Sequence, residues 1–346
     1  MKAFFIGGIE RKTLAVLRQL SLDSEWEVYL LDTETQDRNL PNGIHRISAD
    51  IDNDEEISGL LSDNCFDTVC NLNAYDISCV ERDFRLFGGK IKQYLFISST
   101  SVYDKHSQDY RITENTALTD RGSPKGLIDC EDFLLKKYHE TGFPVTIART
   151  GQIYDESGIP VSVSGNKGFY QVIRRMQQGK TVIIHGDGNA FLTLTSADDL
   201  ATGLAGLMGN RHAIGEICNI SGDEVLTWNR IYAGIGDALG VKPDIYHISS
   251  DYLARIGMFC GYDFAQSLLE DKAGSVIFDN TKLKRLVPQM TTNVPFSEGI
   301  RTAVDHIISH PEEYVEDPDF DRFCDTVTDA LEETLTRLTI SLYRQD

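Results

Sequence analysis

Residues 1–20 read Met-Lys-Ala-Phe-Phe-Ile-Gly-Gly-Ile-Glu-Arg-Lys-Thr-Leu-Ala-Val-Leu-Arg-Gln-Leu, and this stretch decides the fold. A short apolar run is broken by Gly7 and Gly8, and leucines then recur at helical spacing, at Leu14, Leu17 and Leu20. The pattern predicts a strand, a tight turn and a helix. Such a unit is the usual seat of a dinucleotide, because the pyrophosphate rests on the free N–H groups and the positive dipole end of the helix.

Strand and helix patterns alternate from this unit to about residue 150, which predicts a parallel sheet covered by helices on both faces. The predicted helices span about 12–21, 53–62, 76–87 and 127–140. The predicted strands are Ala3–Ile6, Glu27–Leu31, Ile44–Ser48, Thr68–Leu72, Tyr94–Ser98 and Val145–Ala148. We therefore predict an α/β fold with a doubly wound parallel sheet of the Rossmann type. Ligands of such a sheet bind at the rim beyond the carboxyl ends of its strands. The residues predicted along this rim are Gly7, Asp32, Asn73, Ser98 and Gly151.

The alternation becomes irregular after about residue 154. We assign residues 1–155, together with about 181–222 returning to the sheet, to the Rossmann-like domain, and about 156–180 and 223–320 to a smaller α/β substrate lobe. The tail, 321–346, is predicted to be an amphipathic helix. Its apolar stripe either packs on its own subunit or forms a homodimer contact. The stripe consists of Phe323, Val327, Leu331, Leu335, Leu338 and Leu342.

Charge and composition restrict the classes of partner. The net charge of −20 repels phosphate backbones and anionic membranes, so we expect a small-molecule ligand and neither nucleic acid nor membrane. The seven cysteines form no C-x-x-C pair and no zinc spacing, which indicates buried thiols in a reducing compartment and no metal site. The sequence shows no leader peptide and no apolar run near 18 residues, and a cytoplasmic location is expected.

Short motifs in a fixed order carry a resemblance to a known family. They are Phe4–Gly8, Tyr29–Asp32, Ala49-Asp50, Phe96–Tyr103, Ile112–Glu114, Val145–Arg149, Ile153-Tyr154, His185–Gly188, Asp198–Ala201 and Asn219–Gly222. Over about residues 1–300 the chain resembles the extended short-chain dehydrogenase/reductase family, the NAD-dependent epimerase/dehydratase group. Residues 225–228 and 276–282 are more similar to an atypical bacterial branch and to the chloroplast stem-loop-binding relatives.

The resemblance implies NAD as cofactor, with a weakened phosphate loop. The family loop G-x-x-G-x-x-G reads here from Gly7 and Gly8 to Thr13, with Glu10 and Thr13 in place of its second and third glycines. A carboxylate at the second position adds repulsion and steric blockage near the pyrophosphate. Arg11 either compensates as a cation near the phosphates or is a solvated charge at the start of the helix.

Four more residues complete the cofactor set that the resemblance implies. Asp32 stands where an acid hydrogen-bonds the adenosine ribose, which favours NAD over NADP, although it can also cap a turn. Asp50 matches the adenine contact of the family loosely. Asn73 and Ser98 lie at the ends of their predicted strands, and we include both in the set.

The reaction centre of the family combines a Ser or Thr with Tyr-x-x-x-Lys, in which the lysine lowers the pKa of the tyrosine. Ser99 matches the serine, or it satisfies the strand end as an ordinary hydroxyl. Alignment on Glu131 puts Ser123 and Leu127 at the Tyr and Lys positions. Alignment shifted by two residues puts Lys125 and Asp129 there, so the acid–base pair is absent in either alignment. We name Ser99 and Lys125 as the catalytic candidates; the other substitutes near Ser99 are Tyr103, Lys105 and His106.

In the substrate lobe, Arg174, Arg175 and Lys180 either bind an anion or form a solvated face, and Trp228 either stacks on a ligand or anchors its helix. Two functions follow from the sequence. The first is an epimerase/dehydratase-like protein that binds a dinucleotide and a sugar-like or other polar small molecule. The alternative is a non-catalytic nucleotide sensor or scaffold that pairs with an active relative.

Overall fold

The structure is a computed structural model that describes residues 1–7, 11–31, 40–63, 65–72, 74, 76–105, 109–120, 126–291 and 294–343. The chain forms two compact units. Unit 1 comprises Met1–Ile153, Thr193–Glu224 and Ile277–Val294, and unit 2 comprises Tyr154–Leu192, Val225–Val276 and Pro295–Asp346. No helix in the described ranges combines the length and the apolar character needed to cross a membrane.

Strands and helices occur along the whole of the described chain, and they are numbered in chain order. The strands are β1 (Lys2–Ile6), β2 (Glu27–Leu31), β3 (Ile44–Ile47), β4 (Thr68–Asn71), β5 (Gln93–Ser99), β6 (Arg111–Ile112), β7 (Val145–Thr150), β8 (Gln152–Tyr154), β9 (Val182–His185), β10 (Phe191–Ser196), β11 (Ile217–Ile220), β12 (Val225–Thr227), β13 (Ile245–Ile248) and β14 (Ile277–Phe278). The α-helices are α1 (Arg11–Ser21), α2 (Asp54–Asp63), α3 (Ile77–Phe87), α4 (Leu127–Thr141), α5 (Tyr170–Gln177), α6 (Ala197–Leu207), α7 (Trp228–Leu239), α8 (Ser250–Cys260), α9 (Thr281–Leu286), α10 (Phe296–Ser309) and α11 (Pro318–Tyr343).

Unit 1 contains a seven-stranded sheet in the order β11-β7-β5-β4-β1-β2-β3, and all of its strand pairs are parallel. From β1 the chain proceeds outward through β2 and β3, and then returns to the other side of β1 with β4. This reversal between β1 and β4 is the topological switch point of a doubly wound sheet. The predicted fold class is confirmed, and the six strands predicted up to residue 150 end within two residues of their observed bounds.

Helices cover both faces of this sheet, and its central strands are accordingly buried on both faces. Every residue of β4 and β7 is buried, as a parallel sheet between two helical layers requires. On one face α1 packs against α6, and Leu17 and Leu204 belong to the same core cluster. On the other face α3 packs against α4, and the side chain of Asp76 caps α3 by accepting the N–H groups of Ser78 and Cys79.

A buried polar network fixes α3 to the sheet. The carboxylate of Asp83 accepts hydrogen bonds from Asn71 Nδ2 at 2.6 Å and from Tyr94 Oη at 2.5 Å, and Arg82 pairs with it at 3.1 Å. Burial raises the pKa of the Asp83 carboxyl, although the bonds from Tyr94 and Asn71 oppose that shift. The network joins α3 to β4 and β5 on the face that α4 also covers.

In unit 2, the C-terminal helix α11 is held to α5 by ion pairs. Arg175 is 1% exposed, and its guanidinium bonds Asp321 at 2.7 Å and Asp325 at 2.6 Å. Lys180 bonds the same two carboxylates, and Arg174 pairs with Glu316. Arg175 is therefore neither a solvated charge nor a free anion-binding group, because its guanidinium serves to anchor α11.

A second buried cluster in unit 2 is organised around His185. Its Nδ1 lies 2.5 Å from Ser162 Oγ, and its Nε2 lies 3.0 Å from the backbone oxygen of Lys272. The backbone N–H of His185 donates to the same serine oxygen at 2.9 Å, so Ser162 donates its own proton to Nδ1 and Nε2 carries the ring proton. The indole N–H of Trp228 also donates to the Lys272 oxygen, at 3.4 Å.

Because His185 is buried in this cluster, we predict that the stability of the protein depends on pH. Burial lowers the pKa of His185 from 6.5 to about 4, so between these values the unfolded chain binds more protons than the folded one. The free energy of unfolding should consequently fall as the pH is lowered through this range, by up to about 3 kcal/mol from this group. The measurement is urea unfolding of the wild type and His185→Gln at several pH values, since the carboxylates common to both cancel in the difference. If the free energy of unfolding changed equally with pH in the wild type and in His185→Gln, the pH dependence could not be assigned to His185.

Candidate functional site

The carboxyl ends of β1 and β4 form the switch point of the sheet, and Gly7 follows β1 directly. Gly7 has a φ of 125°, and its N–H donates to the carbonyl of Leu31 at 3.3 Å. Side chains of L-residues rarely adopt this φ, so the tight turn requires glycine here. Gly7, the one residue between β1 and α1 that the structure describes, thus has a backbone conformation that favours glycine.

Helix α1 begins at Arg11 and its first turn carries no acidic residue, which leaves the positive end of the dipole unneutralised within the helix. Thr13, at the third glycine position of the family loop, is 1% exposed and is the third residue of α1. The remaining predicted cofactor residues Gly8, Asp32 and Asn73 lie outside the described residues, as do Glu10 and the side chain of Arg11.

Asp50 and Ser98 have contrasting environments. Asp50 is exposed, and its Oδ1 accepts the N–H of Asp52 at 3.0 Å in a turn contact. Ser98 is buried on β5, and its Oγ has no hydrogen-bond partner among the described residues. Buried hydroxyls without a partner are uncommon. Ser98 thus provides an unused donor one residue from the end of β5.

Ser99 ends β5 opposite Thr150 of β7. Its Oγ accepts the N–H of Ser101 at 3.1 Å and lies 2.9 Å from Ser101 Oγ, so it caps the 3₁₀ turn Thr100–Val102. The hydroxyl thus satisfies the strand end, as one of the two sequence interpretations expects. Ser99 is only half-buried and its own proton remains available to a ligand.

Tyr103 does not have the properties of a substitute acid–base group. It is 1% exposed, its Oη donates to Asn219 Oδ1 at 2.6 Å, and the Arg149 guanidinium lies 4.7 Å from its ring centre. Burial raises the pKa of Tyr103 to about 12, whereas a general base works best near the operating pH. Tyr103 is therefore a packing residue of unit 1.

An ion pair between α4 and β7 fixes the helix beside the sheet. Arg149 of β7 and Glu131 of α4 are both nearly inaccessible, and Arg149 Nε bonds the two carboxylate oxygens at 3.0 and 3.2 Å. Arg149 Nη1 also lies 3.5 Å from the backbone oxygen of Glu114. Helix α4 begins at Leu127, four residues before Glu131, and the side chain of Leu127 is buried. In the alignment on Glu131, the residue at the family lysine position is therefore an apolar core residue.

The other substitute groups are only partly described. Lys105 Nζ lies 6.0 Å from the ring centre of Phe278, at the limit of a cation–π contact. Lys125, Ser123 and His106 lie outside the described residues. Ser99 is therefore the one catalytic candidate for which the structure gives a geometry, and Lys125 stays a prediction.

The doubly wound parallel sheet with a glycine turn after its first strand defines a Rossmann-type α/β protein. Residues 84–221 match the family model described as the NAD dependent epimerase/dehydratase family. This match covers about two fifths of the chain, and over these residues the chain is similar to that family.

Two curated relatives resemble parts of the chain. The uncharacterized UDP-glucose epimerase YtcB of Bacillus subtilis (strain 168) is 28% identical over 158 residues, which cover 45% of this chain and 48% of the relative. The chloroplast stem-loop binding protein of 41 kDa b of Arabidopsis thaliana is 28% identical over 192 residues, or 55% of this chain and 48% of the relative. The chain thus spans about half the length of each of these relatives.

Solved structures extend the likeness over most of the chain. UDP-glucuronic acid 4-epimerase from Bacillus cereus in complex with NAD has a TM-score of 0.67 at 19% identity, covering 90% of this chain and 98% of that chain. dTDP-glucose 4,6-dehydratase from Bacillus anthracis str. Ames in complex with NAD has a TM-score of 0.68 at 16% identity, covering 91% and 98%. At these identities the likeness shows the fold alone.

Proposed function

We propose that the chain binds NAD and a sugar-like or other polar small molecule at the rim of its seven-stranded sheet, and that it lacks the Tyr/Lys acid–base step of its family. The observation that carries the second half is Leu127, which stands at the family lysine position in the alignment on Glu131 and is a buried apolar residue at the start of α4; Asp129 takes that position in the shifted alignment. A missing general acid–base group typically costs about 10²–10⁴ in rate.

The described residues fit the adenine-dinucleotide half of NAD. Gly7 supplies the turn, the amino end of α1 supplies N–H groups, and the unpartnered hydroxyl of Ser98 supplies a donor. NAD, when bound, supplies a hydride acceptor. For Asp50 we propose the adenine contact, and Ser99 would orient a ligand hydroxyl with its free proton.

The remaining assignments rest on the resemblance and are part of the same proposal. Gly8 and Arg11 would contact the pyrophosphate, Asp32 the ribose, and Asn73 the adjoining rim. Lys125 would be the proton donor of any residual chemistry. The alternative function, a nucleotide sensor or scaffold that pairs with an active relative, shares the NAD site and differs only in turnover.

Binding of NAD should be visible as stabilisation. At about a hundredfold excess over its dissociation constant, NAD is expected to raise the free energy of unfolding by about 2.7 kcal/mol. A thermal-shift titration measures this, and NADP is the matched control, since a carboxylate at Asp32 would repel its 2′-phosphate. The absence of a shift at millimolar NAD would exclude the NAD site and every hydride mechanism together.

Turnover separates the two functions once NAD binding is established. A screen of nucleotide sugars with the wild type, Ser99→Ala and Lys125→Ala tests for residual chemistry. Product formed by the wild type and lost in either variant would favour an enzyme with a substituted acid–base group. Ligand-induced stabilisation without product would favour the sensor.

A further inference from the structure

The segment that follows β3 carries a dense run of carboxylates. Five of its seven residues are acidic, and they are Asp50, Asp52, Asp54, Glu55 and Glu56. Like charges at this spacing repel one another, so cations beside the segment stabilise it. Residues 50–53, which we call the acidic turn, lie after the carboxyl end of β3 and include the residue for which we propose the adenine contact.

Two hydrogen bonds inside the acidic turn set its conformation. The Oδ1 of Asp50 accepts the N–H of Asp52 at 3.0 Å, and the Asp50 carbonyl accepts the N–H of Asn53 at 3.0 Å. The first bond is an Asx turn, which ties the orientation of the side chain to the backbone two residues further on. Since Asp50 is exposed, the position of Asp52 decides where the Asp50 carboxylate points.

Arg82 of α3 connects Asp52 to the buried core of unit 1. Its Nη1 bonds Asp52 Oδ1 at 2.8 Å, while its Nε and Nη2 bond Asp83 Oδ1 at 3.2 and 3.1 Å. Asp83 is fully buried and also accepts hydrogen bonds from Asn71 and Tyr94. The Arg82 side chain is only 15% exposed. A guanidinium fork held from behind by a buried carboxylate presents its remaining N–H groups in a fixed direction.

We propose that Arg82 is a positioning residue of the dinucleotide site, which orients the Asp50 carboxylate for the amino group of adenine by holding Asp52. This role rests on the proposed function, because Asp50 contacts adenine only if the chain binds NAD. An ionised carboxylate accepts hydrogen bonds and donates none, so a correctly oriented Asp50 selects a base with an amino group. Hypoxanthine has a carbonyl at that position, and it would face the carboxylate as one acceptor against another.

A second arginine of α3 offers a matched control. Arg85 bonds Asp54 through its Nε and Nη2 at 3.0 and 2.9 Å, and its side chain is 61% exposed. Asp54 is the first residue of α2 and lies outside the acidic turn. The two pairs carry the same charges close to each other, but the Arg85 pair holds the start of the helix and the Arg82 pair holds the turn.

Isothermal titration calorimetry with NAD and with nicotinamide hypoxanthine dinucleotide tests the proposal. The wild type should prefer NAD by about tenfold or more, because the analogue loses a hydrogen bond to a charged group. Asp52→Ala leaves Arg82 bonded to Asp83, so the chain should fold. This variant should weaken NAD binding by about fivefold and reduce the preference for NAD to about twofold or less. Asp54→Ala removes the same charge and should keep the preference of the wild type.

The sign of the Asp52→Ala effect separates positioning from long-range attraction. Removing a carboxylate from a chain of charge −20 would by itself strengthen the binding of an anionic dinucleotide. Positioning predicts the opposite, a loss of affinity. Arg82→Lys keeps the positive charge, but a single ammonium does not reproduce the fork that spans both carboxylates, so this variant should also lose the preference for NAD.

Hydrogen exchange of the free chain tests the hold on the turn without a ligand. The amides of Asp52 and Asn53, which are bonded to Asp50, should exchange about fivefold faster in Arg82→Lys than in the wild type. They should keep their rates in Arg85→Lys. The amides of β4 serve as the reference for global stability.

The outcomes distinguish this role from the NAD site itself. An unaltered NAD preference in Asp52→Ala, tighter NAD binding by that variant, an equal loss in Asp54→Ala, or unchanged exchange in Arg82→Lys would each overturn the role of Arg82 alone. Binding of NAD by the wild type without preference over the analogue would do the same. An absence of NAD binding by the wild type would overturn the proposed function and the role of Arg82 with it.

Discussion

Replacing Glu131 with alanine is expected to lower the free energy of unfolding by about 3–5 kcal/mol, because it leaves the guanidinium of Arg149 buried without its countercharge. Both side chains are at most 2% exposed, and Arg149 Nε contacts both oxygens of the carboxylate. The Glu114 carbonyl, which lies 3.5 Å from Arg149 Nη1, and the Tyr103 side chain, which also contacts the guanidinium, are both neutral. Nothing else among the described contacts of Arg149 replaces the lost charge.

The matched control is Glu140→Ala, on the same helix. Glu140 is half exposed and pairs with Lys136 and Lys137, so its loss should cost less than about 1 kcal/mol. The double variant Glu131→Leu/Arg149→Met should recover most of the stability, since removing both buried charges removes the desolvation cost with the pair. Urea unfolding followed by circular dichroism compares the variants. Equal losses for Glu131→Ala and Glu140→Ala would contradict the role given to this pair.

The same pair shows why the sequence predicts the fold better than the site. Buried parallel strands and amphipathic helices leave periodic patterns, and these give β1 to β5 and β7 to within two residues, whereas the two-residue strand β6 was not predicted. Arg149 is recognisable in the sequence as a charged residue next to a predicted buried strand. Its partner, Glu131, is 18 positions away on another element. Pairing across elements has no period, so sequence patterns alone do not reveal it.

Local roles depend in the same way on tertiary neighbours. By sequence, Thr13 only replaces a glycine of the phosphate loop, whereas in the structure its side chain is buried in the first turn of α1. Tyr103 stands near Ser99 in the chain, but its hydroxyl is bonded to Asn219, which is 116 positions away. For α11, Phe323 and Leu338 belong to the same predicted stripe, although one is buried and the other exposed. The helical period of the sequence places both residues on one face of α11, but it does not show how far along the helix that face is covered by other parts of the protein.

Trp228→Ala is expected to cost about 3–5 kcal/mol, as truncation of a fully buried aromatic side chain does. Trp228 is 1% exposed at the first position of α7, its ring lies 5.3 Å from that of His185 in an edge-on arrangement, and its N–H bonds the Lys272 carbonyl. The side chain joins α7 to β9 and to the π-helical segment Ala265–Lys272. These contacts favour the anchoring interpretation over stacking on a ligand.

Two further variants separate the indole from the helix cap next to it. Trp228→Phe keeps an aromatic ring and should lose less than half as much as the alanine variant, whereas Thr227→Ala removes only the N-cap bond to Arg230 and should cost about 1 kcal/mol. Unfolding should be followed by circular dichroism, because the chain has only two tryptophans and the variant removes one of them. If Trp228 instead stacked on a ligand, Trp228→Ala would weaken ligand binding while costing less than about 1 kcal/mol of stability, since an exposed platform contributes little to folding.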